Sequence, residues 1–303
     1  MRWLRDLCFR SISTITTPDV TASQSKPAEK AAWPLWSWMK QHKLKSVLLF
    51  LLLIVIVELA TIPWFSIASL KSGNPGPTAL MKQRMEEARD AGKTLKVTQR
   101  WIALSRLPRH VIDAVIVAED GTFYSHSGID WFEVQESIEK NVRERRAARG
   151  ASTITQQLAK NLYLSTSKDP VRKAKELIIT LLLENNLGKN RILEIYLNVI
   201  EWGRGIFGIE AASQAYFGKS ASTLTLDEAL RLAAVIPSPL RHRPDADTRY
   251  VTRRKEIVFR RLTARYANEY SPQKENSSSQ SLNDVTDDAT MDSTDIDEGD
   301  NGL

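Results

Sequence analysis

The chain has 303 residues, of which 42% are hydrophobic, with a formal charge of +6 and a single cysteine. That length holds one large domain or two small ones, and the apolar fraction is ordinary for a protein with a packed core. Cys8 stands alone, which excludes an intrachain disulfide and a cysteine-built metal site.

The net charge conceals an asymmetry. Glu269 to Leu303 carry ten acidic residues against Lys274, a net of −9, which leaves +15 on the first 268 residues. A basic body calls for an anionic partner, and nucleic acid, anionic lipid and a phosphorylated substrate all qualify. Composition does not choose among them.

Along the chain, residues 1–43 read as a partly disordered arm bearing Arg2, Arg5, Arg10, Lys26, Lys30 and Lys40. Residues 44–70 form an apolar block whose only acidic residue is Glu58. A bilayer core needs about 20 apolar residues, so this block is expected to be a transmembrane helix. It begins too far from the N-terminus, and without a small-residue cleavage pattern, for a removed signal peptide. Lys40, Lys43 and Lys45 precede it and only Lys71 follows closely, so the N-terminus is expected to be cytoplasmic and the body outside. Trp33, Trp36 and Trp38 before the block, with Trp64 and Phe65 at its end, fit interfacial aromatic belts. Glu58 reads either as a helix-partner contact or as a carboxylate near the outer interface.

Residues 71–79 form a Gly/Pro linker, and 80–267 a body whose apolar spacing is helical. Strand-like alternation is sparse, so the fold class is expected to be all-α, or mainly α. Helices are predicted over 131–149, 154–162, 171–187, 191–198, 209–216, 226–235 and 248–266. Thr153 with Gln156 makes a capping-box pattern, and Asp169-Pro170 an N-cap followed by a first-position proline. Residues 268–303 lack the apolar content to offset chain entropy and are expected to be disordered.

Two strings carry most of the chemistry. Glu119-Asp120-Gly121-Thr122-Phe123-Tyr124-Ser125-His126-Ser127-Gly128 closes an apolar run, Val111 to Ala118, with adjacent carboxylates. A Glu at the edge of a core can have its basicity raised. Gly150-Ala151-Ser152-Thr153-Ile154-Thr155-Gln156-Gln157-Leu158-Ala159-Lys160-Asn161 is rich in hydroxyls and amides and contains a lysine, as an anionic, many-hydroxyl ligand needs. Together they suggest sugar chemistry on a phosphorylated substrate. Glu119 and Glu176 are the candidate carboxylates. Lys160, Lys168, Arg172 and Lys173 form a basic set that would neutralise a diphosphate leaving group, although Arg172 and Glu176 at i, i+4 also read as a plain intrahelical salt bridge. Spacing does not separate the two. His126 has no His or Cys at ligand spacing and reads as a support for the loop after Phe123. No Walker loop or zinc pattern is present, and the glycines of Gly203 to Gly208 follow a helix-type segment, so no metal or dinucleotide site is expected.

In order along the chain stand Ala118-Glu119-Asp120-x-x-Phe123-x-x-His126-x-Gly128, Ser152-Thr153-Ile154-Thr155-Gln156-Gln157-x-x-Lys160-Asn161, Arg172-Lys173-x-x-Glu176 and Ile192-Leu193-Glu194-x-Tyr196-Leu197-Asn198. This series closely resembles the peptidoglycan glycosyltransferases, glycosyltransferase family 51. The resemblance covers about residues 80–245 and is nearest to the monofunctional biosynthetic members, rather than the bifunctional class A penicillin-binding proteins.

The resemblance implies a lysozyme-like α-helical domain with a membrane-proximal jaw, acting on lipid II and the nascent glycan strand. Glu119 matches the family's general base, which takes the proton from the acceptor's 4-hydroxyl. Glu176 matches the second carboxylate, assigned to donor positioning or to a cation at the diphosphate. Ser152, Gln156, Gln157, Lys160, Lys168, Arg172 and Lys173 match positions that hold the donor's sugar-phosphate, while Asp120, Phe123, His126, Gly128 and Asn161 belong to the supporting motif. No cofactor is required, with room for a divalent cation, Mg or Mn, at the donor diphosphate. The implied setting is the plasma (inner) membrane, crossed once, with membrane lipid and other wall-synthesis or division proteins as further partners and no nucleic acid. Two departures stand out: Ala151 replaces the second of the paired glycines, and Lys168 stands where some members have Arg. The rival readings are a lysozyme-like hydrolase or lytic transglycosylase, which needs no cationic diphosphate site, and a non-catalytic wall-synthesis scaffold, in which the motif should have decayed.

Overall fold

The computed structural model describes residues 38–39, 41–144, 152–167, 169–267 and 270. The expectations for the N-terminal arm before Trp38, for Gly150-Ala151, for Lys168 and for the tail beyond Tyr270 lie outside the described residues. The chain divides into two units, Met1–Ala60 and Thr61–Leu303.

In the first unit, α1 (Lys43–Ala60) has no buried residue, and its Val, Leu, Ile and Phe side chains are exposed on every side. An all-apolar helix of this kind has hydrocarbon as its natural solvent. Apolar helical residues run from Lys43 to Ser69, enough to cross a membrane. A turn at Thr61 to Pro63 interrupts them, because Pro63 cannot continue a helical hydrogen-bond ladder. The short α2 (Trp64–Ser69) that follows belongs to the second unit, where Ile67 and Leu70 join the core.

The second unit is mainly helical, as its apolar spacing predicts. Its elements are α3 (Ala79–Asp90), β1 (Thr98–Gln99), α4 (Arg109–Glu119), α5 (Trp131–Glu144), α6 (Ile154–Tyr163), α7 (Pro170–Asn186), α8 (Lys189–Val199), β2 (Glu201–Gly203), β3 (Ile206–Phe207), α9 (Ile209–Phe217), α10 (Leu226–Val235) and α11 (Arg249–Arg265). The three strands make one small sheet in the order β1-β3-β2, with β1 parallel and β2 antiparallel to β3. Strands of two or three residues are too short to display alternation, and the sequence signals none of them.

Local chemistry sets the helix starts. Thr153 and Gln156 exchange hydrogen bonds in a complete capping box at α6, and Thr225 with Glu228 does the same at α10. Asp169 accepts from the Arg172 amide at the head of α7, with Pro170 at the first position. Each such cap contributes about 1 kcal/mol.

Packing then gathers the helices that matter for chemistry. α6 packs on both α7 and α8, while α4 is held between α10 and α11. Phe123, Ile154, Leu158, Ile192, Tyr196 and Trp202 are fully buried in the shared core. The ends of α4 and α6 and one face of α7 thereby come together.

Candidate active site

Glu119 is the last residue of α4. Val111 and Ala114 to Val117 bury the helix in the core, and Asp120 leaves helical geometry at φ −159°, which ends the helix and leaves Glu119 half-buried at its tip. It borders a cavity of about 460 Å³ whose walls include Asp120, Ser152, Gln157, Arg254 and Arg261. Burial raises the Glu119 pKa, and the Gln157 hydrogen bond, Arg254 and Lys160 pull it back only in part.

Gln157 donates from Nε2 to Glu119 Oε2 at 2.9 Å and accepts from the Tyr196 hydroxyl at 3.0 Å. Tyr196 is fully buried, and burial raises its own pKa well above the usual phenol range, so it remains a donor. An ionised Glu119 can only accept, so the Gln157 NH2 turns toward it and the amide oxygen is left to take the Tyr196 proton.

Asp120 ties the two strings together. Its carboxylate accepts from the Ile154 amide at 3.0 Å and meets His126 Nε2 at 3.0 Å. His126 Nδ1 accepts from the Gly128 amide, so the neutral ring carries its proton on Nε2 and donates it to Asp120. Phe123 is fully buried, with Lys189 Nζ 4.5 Å above its ring. Gly128 has φ +90°, and a Cβ there would lie 2.8 Å from Thr180 Cγ2 and 2.9 Å from Glu184 Cγ. Glycine is the residue that admits both this conformation and this approach.

The basic cluster sits on α7. Arg172 Nη1 reaches Glu176 Oε2 at 2.7 Å, and Lys173 pairs with the other carboxylate oxygen. The Glu176 side chain is only 4% exposed and Arg172 is largely covered, so their pair is shielded, while the half-exposed Lys173 reaches the carboxylate from the solvent side. Lys160 of α6 links this cluster to Glu119: burial lowers its pKa, Arg172 and Lys173 act in the same direction, and Glu176 and Glu119 oppose them. The salt bridge read from spacing is formed, and an anion arriving beside Glu176 would meet three cations.

Thus a hydrogen bond joins Glu119 to Gln157, ion pairs join Arg172 and Lys173 to Glu176, and Lys160 interacts electrostatically with both carboxylates, while Ser152 is exposed at the cavity wall. Gln156 stands apart: it is buried and its amide oxygen accepts from the Thr153 backbone, so it holds the helix start. Asn161 is buried on α6, and Lys168 lies outside the described residues. Tyr196, Arg254 and Glu184, which accepts from Thr155 and Lys189, enter the site without having been singled out from sequence. Tyr196 stood within a motif already noted, but its use depends on a contact with Gln157, 39 positions away.

Among the described residues, no group of three or more His, Cys, Asp or Glu is placed to hold a metal ion. One carboxylate already closed by two cations is a poor cage for a resident divalent ion.

A family profile described as Transglycosylase matches residues 87–263. Curated proteins named biosynthetic peptidoglycan transglycosylase are similar to this chain. That of Methylobacillus flagellatus is 40% identical over 231 residues, covering 76% of this chain and 98% of the relative. That of Aromatoleum aromaticum is 45% identical over 191 residues, covering 63% and 83%. That of Herminiimonas arsenicoxydans is 42% identical over 189 residues, covering 62% and 82%.

Proposed function

The chain belongs to the transglycosylase family, and from that premise we propose how its residues carry out the reaction. The protein is a peptidoglycan glycosyltransferase, and lipid II and the glycan strand are its substrates. The proposed activity is glycan polymerisation, without transpeptidation.

In the proposed mechanism the Glu119 carboxylate takes the proton from the 4-hydroxyl of the acceptor's N-acetylglucosamine. The oxygen attacks the anomeric carbon of the donor's N-acetylmuramic acid as the bond to the undecaprenyl diphosphate breaks. The centre inverts and a β-1,4 link forms. Burial raises the basicity of Glu119, and the Gln157 donor fixes its direction without supplying a proton. Negative charge developing on the leaving diphosphate falls to Lys160, Arg172 and Lys173, with Glu176 holding the last two in place. Ser152 reads as a sugar contact. Gln156 supports the same segment from within by capping α6. A Mg or Mn ion bound with the donor diphosphate would add positive charge against the leaving group, beside a Glu176 that Arg172 and Lys173 already close.

The observation that carries this reading is the geometry of the two carboxylates: Glu119 held by Gln157 at the rim of a cavity, and a 4% exposed Glu176 side chain closed by Arg172 and Lys173. A hydrolase acting on neutral glycan has no need of that cluster. A scaffold has no need of a carboxylate whose pKa burial has raised.

An apolar N-terminal helix in an enzyme of this family is consistent with membrane anchoring. We place the N-terminus in the cytoplasm and the enzyme unit outside, following the lysines before α1. Exposed Trp131, Phe132 and Ile138 on α5, and Phe65 on α2, offer apolar surface suited to the bilayer that holds the donor.

The experiment is incubation of the detergent-solubilised chain with labelled lipid II, with and without a divalent cation. Polymer in both arms supports the mechanism as written, and polymer only with the cation would add the ion to it. Release of muropeptides from intact sacculi without polymer from lipid II would replace the reading with a hydrolase.

A further inference from the structure

Three arginines of α11 line up along the end of α4. Arg261 lies 3.5 Å from the Val117 carbonyl, and Arg265 is hydrogen-bonded to the Gly121 carbonyl. Arg254 is placed differently: its Nε is sealed from solvent and has no hydrogen-bond partner. It lines the same cavity as Glu119 and acts on that carboxylate electrostatically, yet Glu119 takes its hydrogen bond from Gln157. The cavity wall includes none of Lys160, Arg172, Lys173 or Glu176. Glu119 therefore faces two separate cationic surfaces, one on α6 and α7 and one on α11.

Beyond the sealed Nε the Arg254 side chain is half-buried and lines the cavity, and a guanidinium in a polar wall is suited to an oxyanion that arrives with a ligand. The reaction joins two lipid-linked molecules, so one anionic donor cluster leaves the charges of the second substrate unmatched. We infer that Arg254 is a specificity-determining residue that binds an oxyanion of the substrate seated on the side of Glu119 away from Glu176. The inference rests on the reading of Glu119 as the base between the two substrates. The ligand chemistry is a carboxylate of the peptide stem or an oxygen of the diphosphate, which Arg reads as a planar fork and Lys only as a point charge. Ser152 and Gln157, in the same wall, are placed to meet sugar hydroxyls.

The test is steady-state polymerisation by the full chain in detergent, comparing wild type, Arg254→Gln and Arg254→Lys on lipid II and on lipid II with amidated stem carboxylates. Arg254→Gln should raise KM at least about tenfold, the worth of one charge-assisted hydrogen bond, with kcat changed far less, and Arg254→Lys should recover only part of it. If the stem is the source, amidated substrate given to wild type reproduces the Arg254→Gln defect. If the diphosphate is the source, wild type ignores amidation while Arg254→Gln stays impaired. Should Arg254→Gln melt well below wild type, Arg254→Lys carries the comparison, because it retains charge and stem length. An unchanged KM in the folded variants, with only the pH profile of kcat moved, would overturn the inference and leave Arg254 as a neighbour that tunes Glu119. Failure of wild type itself to make polymer would overturn the proposed function instead.

Discussion

Gln157 donates to Glu119 from an amide whose other end is fixed by the buried Tyr196 hydroxyl. The relay is directional, since an ionised Glu119 can only accept: the Gln157 NH2 faces it, the amide oxygen takes the Tyr196 proton, and the base keeps one oxygen free for the acceptor hydroxyl. We predict that Tyr196→Phe lowers kcat by roughly tenfold with little change in KM, because the amide oxygen loses the donor that holds it, and costs about 1 kcal/mol of stability. Steady-state kinetics and thermal melts on one preparation check both effects. A fall in stability alone would reduce Tyr196 to a packing residue.

Burial raises the Glu119 pKa, and this has two pH consequences. As a base it must be deprotonated, so kcat/KM should rise with pH through a titration above the usual carboxylate value of about 4.3 and then level off. The sign for stability is the reverse. A carboxyl whose folded pKa is raised penalises the folded state once pH exceeds the unfolded value, and the penalty vanishes below it. Glu119→Gln should therefore melt higher than wild type at pH 7 and lose that advantage in acid. Equal melting at both pH values would contradict the assigned direction.

Arg172 and Lys173 divide the Glu176 carboxylate between them. Arg172→Ala should weaken lipid II binding and turnover together, with kcat/KM down about 10- to 100-fold for a lost charge-assisted contact. Its stability cost should be below the roughly 3–5 kcal/mol of an orphaned buried charge, because Lys173 still pairs with Glu176. Unchanged kinetics would leave the pair as an intrahelical salt bridge and nothing more.

Gly128 admits no side chain at its close approach to Thr180 and Glu184. Gly128→Ala combines a left-handed backbone with overpacking and should destabilise by about 2–4 kcal/mol. Residues 120–128, between Glu119 and α5, would shift with it. Chemical denaturation measures this directly, and a wild-type midpoint would mean that the loop relaxes freely.

Features written in neighbouring residues were legible from sequence. Thr153 with Gln156, Asp169 with Pro170, and the helix from Leu226 to Val235 follow from caps and 3.6-residue spacing, and each forms as those signals indicate. The long-range relations were not. Gln156 and Gln157 are adjacent and chemically identical, yet one caps a helix and the other touches the base; only the turn of α6 against α8 separates them. Arg254 lies 135 positions after Glu119 in a helix crowded with arginines, and its unpartnered nitrogen becomes visible only when α11 packs on α4. Asp120 holds His126 and the first amide of α6 together, a contact with no local periodicity.

The central claim is that Glu119 removes the proton that makes the acceptor a nucleophile. The most direct measurement is glycan formation from labelled lipid II by wild type and Glu119→Gln, alongside donor binding by each. The account predicts polymer from wild type, none from the variant, and comparable donor binding by both, since the amide keeps the shape but cannot accept the proton. Polymer from Glu119→Gln at a near wild-type rate would contradict it.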